Sequence, residues 1–287
     1  MRILVTGKNG QVGWELQRTL ARLGDVTAVD VEELDLCSPD AIRQTVRHLA
    51  PQLIVNPAAY TAVDQAEREA DVAFAVNATA PAVFAEEAKR LGALLVHYST
   101  DYVFDGKKAA PYVEEDALNP LNVYGSTKLE GERAIRASGC RHLILRTSWV
   151  YGARGKNFLL TVLRLAGERP QLRIVSDQIG APTWCRALAA VTGVIVPKAL
   201  SDASKDGLYH ATNGGETSWF GFAVEILRIA GVATPVQPIS TTDCPTPAAR
   251  PANSRLDNSK LHRVFGVSLP EWGSSLAECM KAIPGYA

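Results

Sequence analysis

The sequence predicts an α/β protein: a Rossmann-type, doubly wound parallel sheet followed by a smaller mixed α/β lobe. Three observations predict it. Short β-rich apolar runs alternate with helical patterns through the first half of the chain, which is the rhythm of βαβ units with right-handed crossovers. The first of these runs leads directly into a glycine-spaced loop that opens a helix. The length of 287 residues admits one large domain with a lobe beside it.

Residues 2–6 are a compact apolar run, as expected of a strand buried on both faces. Val12, Leu16, Leu20 and Leu23 then recur at helical spacing, Gly24-Asp25 break the helix, and 26–29 read as a second strand. Ser38-Pro39 marks a helix start, because serine caps and proline suits the first turn; Ile42, Val46 and Leu49 form that helix's apolar face. A third strand is expected at 53–56, a helix over 70–91 closed by Gly92, a fourth strand at 94–99, a helix over 121–137 and a fifth strand at 142–147.

Beyond about residue 150 the rhythm changes. Helices are expected at 157–167, 184–196 and 218–230, the last opened by Gly214-Gly215 and Ser218. The segment 240–251 is rich in Thr, Pro and Ala and reads as irregular loop. Ser268 to Glu271 has the spacing of a capping box and is expected to start the last helix. Residues 1–150 are thus assigned to the Rossmann domain and 151–287 mainly to a lobe at the sheet's carboxyl edge, where open α/β folds bind ligands, with some segments returning to the first domain.

Lys plus Arg number 30, as do Asp plus Glu, and no basic cluster exceeds Lys107-Lys108, so no nucleic-acid partner is expected. No apolar stretch reaches the ~18 residues that span a bilayer, and the N-terminal run is too short for a signal peptide, so no membrane partner is expected. The five cysteines are scattered and contain no C-x-x-C pair, which suits a reducing cytoplasm rather than a disulfide or zinc framework. The five histidines show no H-x-x-x-H spacing and read as structural.

Gly7, Gly10 and Gly13 give the loop a G-x-x-G-x-x-G spacing. Glycine allows a tight turn and lets a pyrophosphate approach the backbone, and the N–H groups at the helix start, those of Gln11 and Val12 among them, then face the phosphates. Asp30 ends the second strand at the place where an acid meets the adenosine ribose hydroxyls. An acid there favours NADH, since it repels a 2′-phosphate, and no arginine follows at Val31. Tyr124 and Lys128 are four apart on an expected helix and so share a face. A phenol can give its proton to a carbonyl oxygen that accepts hydride; a nearby ammonium is expected to bring its pKa, ordinarily ~10, down toward the useful range. Ser99-Thr100-Asp101 lies at the end of the fourth strand, where a hydroxyl can reach the same carbonyl.

Together these residues resemble the extended short-chain dehydrogenase/reductases and, within them, the dTDP-4-dehydrorhamnose reductase family. The likeness runs through GKNGQVGWE (7–15), AAYTAVD (58–64), HYSTDYVF (97–104), NPLNVYGSTKLE (119–130), RTSWVYG (146–152), DQIGAPT (177–183) and RPANSRL (250–256). It implies cofactor contacts at Gly10, Gln11, Val12, Asp30, Asp35, Leu36, Ala59, Tyr60, Thr61, Tyr98, Tyr124 and Lys128, and substrate contacts at Thr100, Asp101 and Trp149. It implies Tyr124 as proton donor, tuned by Thr100 and Lys128, a dTDP-linked 4-keto-6-deoxy sugar as substrate, and NADPH with NADH often accepted. Some members dimerise around Mg²⁺ through glutamates, one of which matches Glu15; the other ligands have no match, so the metal is unassigned and the chain is expected as monomer or homodimer. Read without the family, Glu15 is an exposed first-turn acid.

Pro57 departs from the family's usual small residue and is expected to stiffen the exit of the third strand. Trp149 is either core or a flat wall for a sugar ring. Arg250 and Arg255 are open between a substrate diphosphate and surface salt bridges. Two other functions suit the same fold: an NADP-binding regulatory subunit of the methionine adenosyltransferase type, or another nucleotide-sugar epimerase or ketoreductase.

Overall fold

The central strands are short apolar runs because both faces of the sheet are covered. The computed structural model of the chain describes residues 1–286. Its first half runs β1 (Arg2–Thr6), α1 (Gln11–Leu20), β2 (Asp25–Val29), α2 (Pro39–Leu49), β3 (Leu53–Asn56), α3 (Val63–Ala66), α4 (Ala70–Phe74), α5 (Ala80–Leu91), β4 (Leu94–Thr100), α6 (Val123–Ser138) and β5 (His142–Thr147). The second half adds β6 (Val150–Tyr151), α7 (Phe158–Glu168), β7 (Leu172–Val175), β8 (Ile179–Gly180), β9 (Thr183–Trp184), α8 (Cys185–Ser201), β10 (Gly207–His210), β11 (Thr217–Ser218), α9 (Trp219–Ala230), β12 (Val236–Ile239), α10 (Ser259–Phe265) and α11 (Trp272–Met280).

Six strands pair in parallel in the order β10-β5-β4-β3-β1-β2, so the expected doubly wound sheet is present. Alternate residues of each strand serve opposite faces. Ile3 and Val5 pack with Leu16, Leu20, Leu188 and Ile195 of α1 and α8, whereas Leu4 packs with Ile42, Val46, Phe84 and Ile135 of α2, α5 and α6. The chain steps from β1 to β2 on one side and to β3 on the other. That switch opens a crevice at the carboxyl end of β1, where the glycine loop lies. A separate cluster, with Leu159, Val162, Phe222, Ile226, Leu276 and Met280 at its centre, joins α7, α9 and α11.

The capping arguments work locally. Ser38 accepts from Ala41 N–H with Pro39 in the first turn, and Asn122, Asn157 and Ser218 cap α6, α7 and α9 in the same way. Four differences from the sequence reading have physical causes. The helix expected over 70–91 carries a π-helical turn at Ala75–Thr79; Pro81 has no N–H to return to the preceding turn, and the widened turn swings Asn77 toward α6. The sixth strand, β10, is four residues long and follows a turn, too short to show a period. The expected end of α8 at residue 196 is overrun, with Pro197 inside the helix. Ser268 does not cap the last helix: its hydroxyl meets His262 Nδ1, and α11 starts at Trp272, whose N–H donates to Gly214 O.

A buried ion pair docks α6 on the sheet. Arg146 of β5 donates to both oxygens of Glu132 at 2.9 and 2.7 Å, and Ser99 of β4 donates to the same carboxylate at 2.5 Å. Both charged groups are about 1% exposed. Replacing Arg146 by methionine leaves the carboxylate buried and unpaired, and should lower unfolding free energy by about 3–5 kcal/mol in a denaturant titration. A loss below ~1 kcal/mol would show that the pair does not dock the helix.

Candidate active site

The carboxyl edge of the sheet holds a cavity of about 470 Å³ lined by Gly7, Gly10, Gln11, Val12, Gly13, Asp30, Ala59, Thr61, Tyr98, Tyr124 and Lys128. The glycine loop, the end of β2 and the Tyr-Lys helix therefore meet around one space. A second cavity of about 270 Å³ shares Gly7, Asp30, Ala58 and Ala59 with it and continues along Asp35 and Leu36. The two make an elongated cleft suited to a dinucleotide. Gly7 sits at φ +61°, and a Cβ on Gly13 would lie 2.0 Å from Gly7 O, so the turn closes only with glycine at these positions. Gly10 ends the loop without a side-chain cap, and no acid occupies the first turn of α1. The residues that carry the free N–H groups there, Gln11, Val12 and Gly13, line the cavity, as an anion site at a helix start requires. Asp30 accepts from Asn9 N–H and Val31 N–H, both at 2.9 Å. Thr147 contributes a hydroxyl that is buried, lines the cavity and has no hydrogen-bond partner among the described residues. The residues present fit a nicotinamide dinucleotide.

Tyr124 and Lys128 both lie inside α6, one turn apart. Burial pushes the Tyr124 phenol up to about 12, with the Thr100 hydroxyl pulling the other way and the Asp101 carboxylate adding to the rise. Lys128 falls to about 7 through burial, opposed by Glu132. The lowering of Tyr124 expected from the lysine is therefore absent from its surroundings here. The lysine is itself desolvated; its Nζ donates to Tyr98 O at 2.6 Å and lies 3.1 Å from His97 Nε2. Thr100 Oγ1 donates to Asp101 Oδ1 at 3.0 Å and accepts from Tyr102 N–H at 3.1 Å. Asp101 is buried and rises to about 6, by desolvation first, with Ser254 and Thr100 drawing it back.

The remaining expected contacts divide. Tyr60 is turned away: its phenol donates to Glu69 at 2.6 Å, and its backbone N–H donates to Asn77. Trp149 stands at φ +50° and stacks on Trp219 with ring centres 3.6 Å apart, against Gly180, where a Cβ would lie 2.7 Å from the indole. Arg250 pairs with Asp64 at 2.8 and 2.9 Å and Arg255 with Glu216 at 2.8 Å, so both are held in salt bridges. Pro57 lines the large cavity. Glu15 is buried rather than exposed, and Arg186 of α8 donates to both its oxygens at 3.1 and 3.3 Å. Among the described residues of the chain, no group of three or more His, Cys, Asp or Glu is placed to hold a metal ion. Ser99, named with Thr100 at the strand end, lines the cavity; the sequence reading missed Lys156 and Thr147, which also line it, and His97, which contacts the lysine. Lys156 sits in an aperiodic loop, and a single histidine within an apolar strand looks like core.

The lysine's shift carries a stability consequence. Its folded pKa lies below its unfolded one, so the penalty is fully present below about pH 7 and is relieved as pH rises toward the ordinary lysine value. Lys128→Met should therefore be more stable than the parent by roughly 2–4 kcal/mol near pH 6, once the lost bonds to Tyr98 and His97 are allowed for, with the gain shrinking toward pH 10. Thermal unfolding of both proteins across that range checks this; a less stable variant near pH 6 contradicts it.

A family profile described as RmlD substrate binding domain matches residues 1–284. A dTDP-4-dehydrorhamnose reductase of Burkholderia thailandensis is 48% identical over 98% of each chain, and that of Escherichia coli K12 is 47% identical over 95% of this chain and 94% of its own. Among solved structures, a dTDP-4-dehydrorhamnose reductase of Clostridium acetobutylicum superimposes with a TM-score of 0.93 at 40% identity, covering 98% of this chain and 99% of its own. One from Bacillus anthracis, in complex with NADP, gives 0.91 at 37% identity over 98% and 99%. With a profile spanning nearly its whole length and relatives close to half identical, the chain belongs to the dTDP-4-dehydrorhamnose reductase family.

Proposed function

We propose that the chain reduces the C4 keto group of dTDP-4-dehydro-L-rhamnose with a nicotinamide cofactor, giving dTDP-L-rhamnose. It is an oxidoreductase of nucleotide-sugar synthesis. The observation that carries this reading is the meeting of Tyr124 and Lys128 with the opening glycines around one cavity. The cofactor, when bound, supplies the hydride. The N–H groups of Gln11, Val12 and Gly13 would hold its pyrophosphate, with Lys156 at the same cavity as a countercharge. Asp35 and Leu36, which line the second cavity with Asp30, would border its adenine end, and Asp30 its ribose.

Tyr124 holds the proton that the carbonyl oxygen needs. Its raised pKa keeps the phenol protonated near neutrality, the form a donor must have before reaction. Thr100 lies beside the phenol and steadies the same oxygen; Lys128 stabilises the phenolate left behind. Asp101 and Trp149 border the sugar, Trp149 as a flat wall held by Trp219. Residues 151–287 supply most of the substrate lobe. The whole acts in the cytoplasm, as monomer or homodimer. Turnover needs an acid, a base partner and a hydroxyl together, which a purely cofactor-binding regulatory subunit does not, so the intact Thr100, Tyr124 and Lys128 set favours the enzyme.

Purified protein should consume NADH or NADPH on addition of dTDP-4-dehydro-L-rhamnose, followed by nicotinamide absorbance. Tyr124→Phe should lower kcat by about 10²–10⁴-fold while leaving cofactor affinity nearly unchanged. An inactive parent, or a fully active variant, contradicts the assignment. Asp30 points to NADH, and Lys8, a base close enough to feel its charge, is held by Glu33. Asp30→Ala should therefore raise the NADPH-to-NADH ratio of kcat/KM by about tenfold, through loss of repulsion at the 2′ position; an unchanged ratio places Asp30 outside the ribose contact.

A further inference from the structure

Behind the cleft, Lys128 ends a file of buried side chains that crosses three neighbouring strands. Its Nζ lies 3.1 Å from His97 Nε2 on β4. On the other side of the ring, Asn56 Nδ2 of β3 lies 3.2 Å from His97 Nδ1. Thr6 of β1 donates its hydroxyl to Asn56 Oδ1 at 2.6 Å and accepts from Ala58 N–H at 3.3 Å. His97 and Asn56 are 0% exposed, and Thr6 and Lys128 are 1% exposed. Ala58 lines both parts of the dinucleotide cleft.

The order of donors along this file is constrained. With the Ala58 proton directed at Thr6, the threonine gives its own to Asn56 Oδ1, and the Asn56 amide gives one to His97 Nδ1. A neutral ring that accepts at Nδ1 carries its proton on Nε2. That proton points at Lys128 Nζ, which must then be a neutral amine. A charged ammonium needs the reverse: Nε2 accepts, the ring proton moves to Nδ1, and Asn56 turns its amide to present oxygen.

We propose that His97 and Asn56 are positioning residues whose tautomer and amide orientation switch together with the proton on Lys128, and that Thr6 links this switch to the Ala58 backbone beneath the dinucleotide. This rests on the reading of Lys128 as the group that serves Tyr124. The surroundings suit the exchange. Burial holds His97 well below the usual histidine range, so the ring stays neutral, while Lys128 at about 7 changes charge near neutrality. The other ionisable groups facing the pair are Tyr124 and Glu132 on α6, the latter already bonded to Arg146 of β5, and Asp101 beyond Tyr124. The Tyr98 hydroxyl is turned the other way, onto Thr192 of α8.

The test uses His97→Gln and Asn56→Leu in the full chain, with dTDP-4-dehydro-L-rhamnose and NADPH, from about pH 5 to pH 9. Both should lose about tenfold or more in kcat and displace the limb of the pH profile set by Lys128, while KM for NADPH moves less than about threefold. Folded variants with the parent's kcat and an unshifted limb overturn the proposal. A measurement on the unsubstituted protein needs no turnover: with ¹⁵N-labelled histidine, Nε2 of His97 should carry the proton at high pH and Nδ1 at low pH, exchanging in one step as Lys128 titrates. A tautomer fixed across the range overturns the proposal as well. If the unsubstituted protein does not turn over the sugar, the functional reading falls, and the tautomer measurement alone decides the switch.

Discussion

The active edge of this protein depends on a helix that must bring charge into the sheet. Tyr124, Lys128 and Glu132 are each four residues apart, so they form one line along α6 that faces β4 and β5. Carrying an ammonium and a carboxylate to about 1% exposure is unfavourable unless each finds a partner. Arg146 and Ser99 provide it for Glu132, and the Tyr98 carbonyl and His97 provide it for Lys128. Close approach is then needed, and two glycines allow it: a Cβ on Gly125 would meet Tyr102 O at 2.2 Å, and one on Gly131 would meet Asn77 O at 2.3 Å. The π-helical turn supplies the other half of that second contact, because it turns Asn77 toward α6, where its amide also bonds Tyr60 and Thr127.

Much of this was legible in the sequence, and the reason is local. Ser38-Pro39, Asn122 and Ser218 act within a few residues of themselves, so their effect survives folding. The glycine loop and the Tyr-Lys spacing are likewise statements about one turn and one helix face. What was not legible depends on partners far along the chain. β10 belongs to the sheet only because β5 offers an edge, some sixty residues earlier. The Ser268 spacing looked like a cap, but the start of α11 is fixed by backbone pairing with Gly214. Glu15 looked like a solvated acid because nothing near it in sequence reveals Arg186. Tyr60 belongs to a motif at the cleft, yet Glu69 and Asn77 draw it away.

Trp149 shows how the second lobe is tied to the first. It stands two residues after β5 and takes a left-handed backbone conformation that a bulky residue adopts only when its surroundings hold it there. Trp219 covers one face of its ring and Gly180 admits its edge. Trp219 opens α9 and Gly180 ends β8, so two elements of the later chain fix the indole at the sheet's active edge. Neither residue carries a periodic signal, which is why sequence alone left Trp149 between core and wall.

The same logic explains why the polar chemistry collects where it does. β1, β3, β4 and β5 all end on polar residues, Thr6, Asn56, Thr100 and Thr147, and β4 and β5 add His97, Ser99 and Arg146 just before their ends. In a sheet covered on both faces, polar side chains are tolerated only where a partner exists, and the carboxyl edge is where the strands end and loops, helix starts and the cleft begin. Thr6, Asn56 and Thr100 have protein partners there, and Thr147 alone among these four turns an unpaired hydroxyl toward the cavity. Within this rim Thr6, Asn56 and His97 are joined to one another and to Lys128, so a proton gained at the lysine is felt along that file. Lys128 is set into that rim rather than beside it, and its charge is a property of the rim as much as of the lysine.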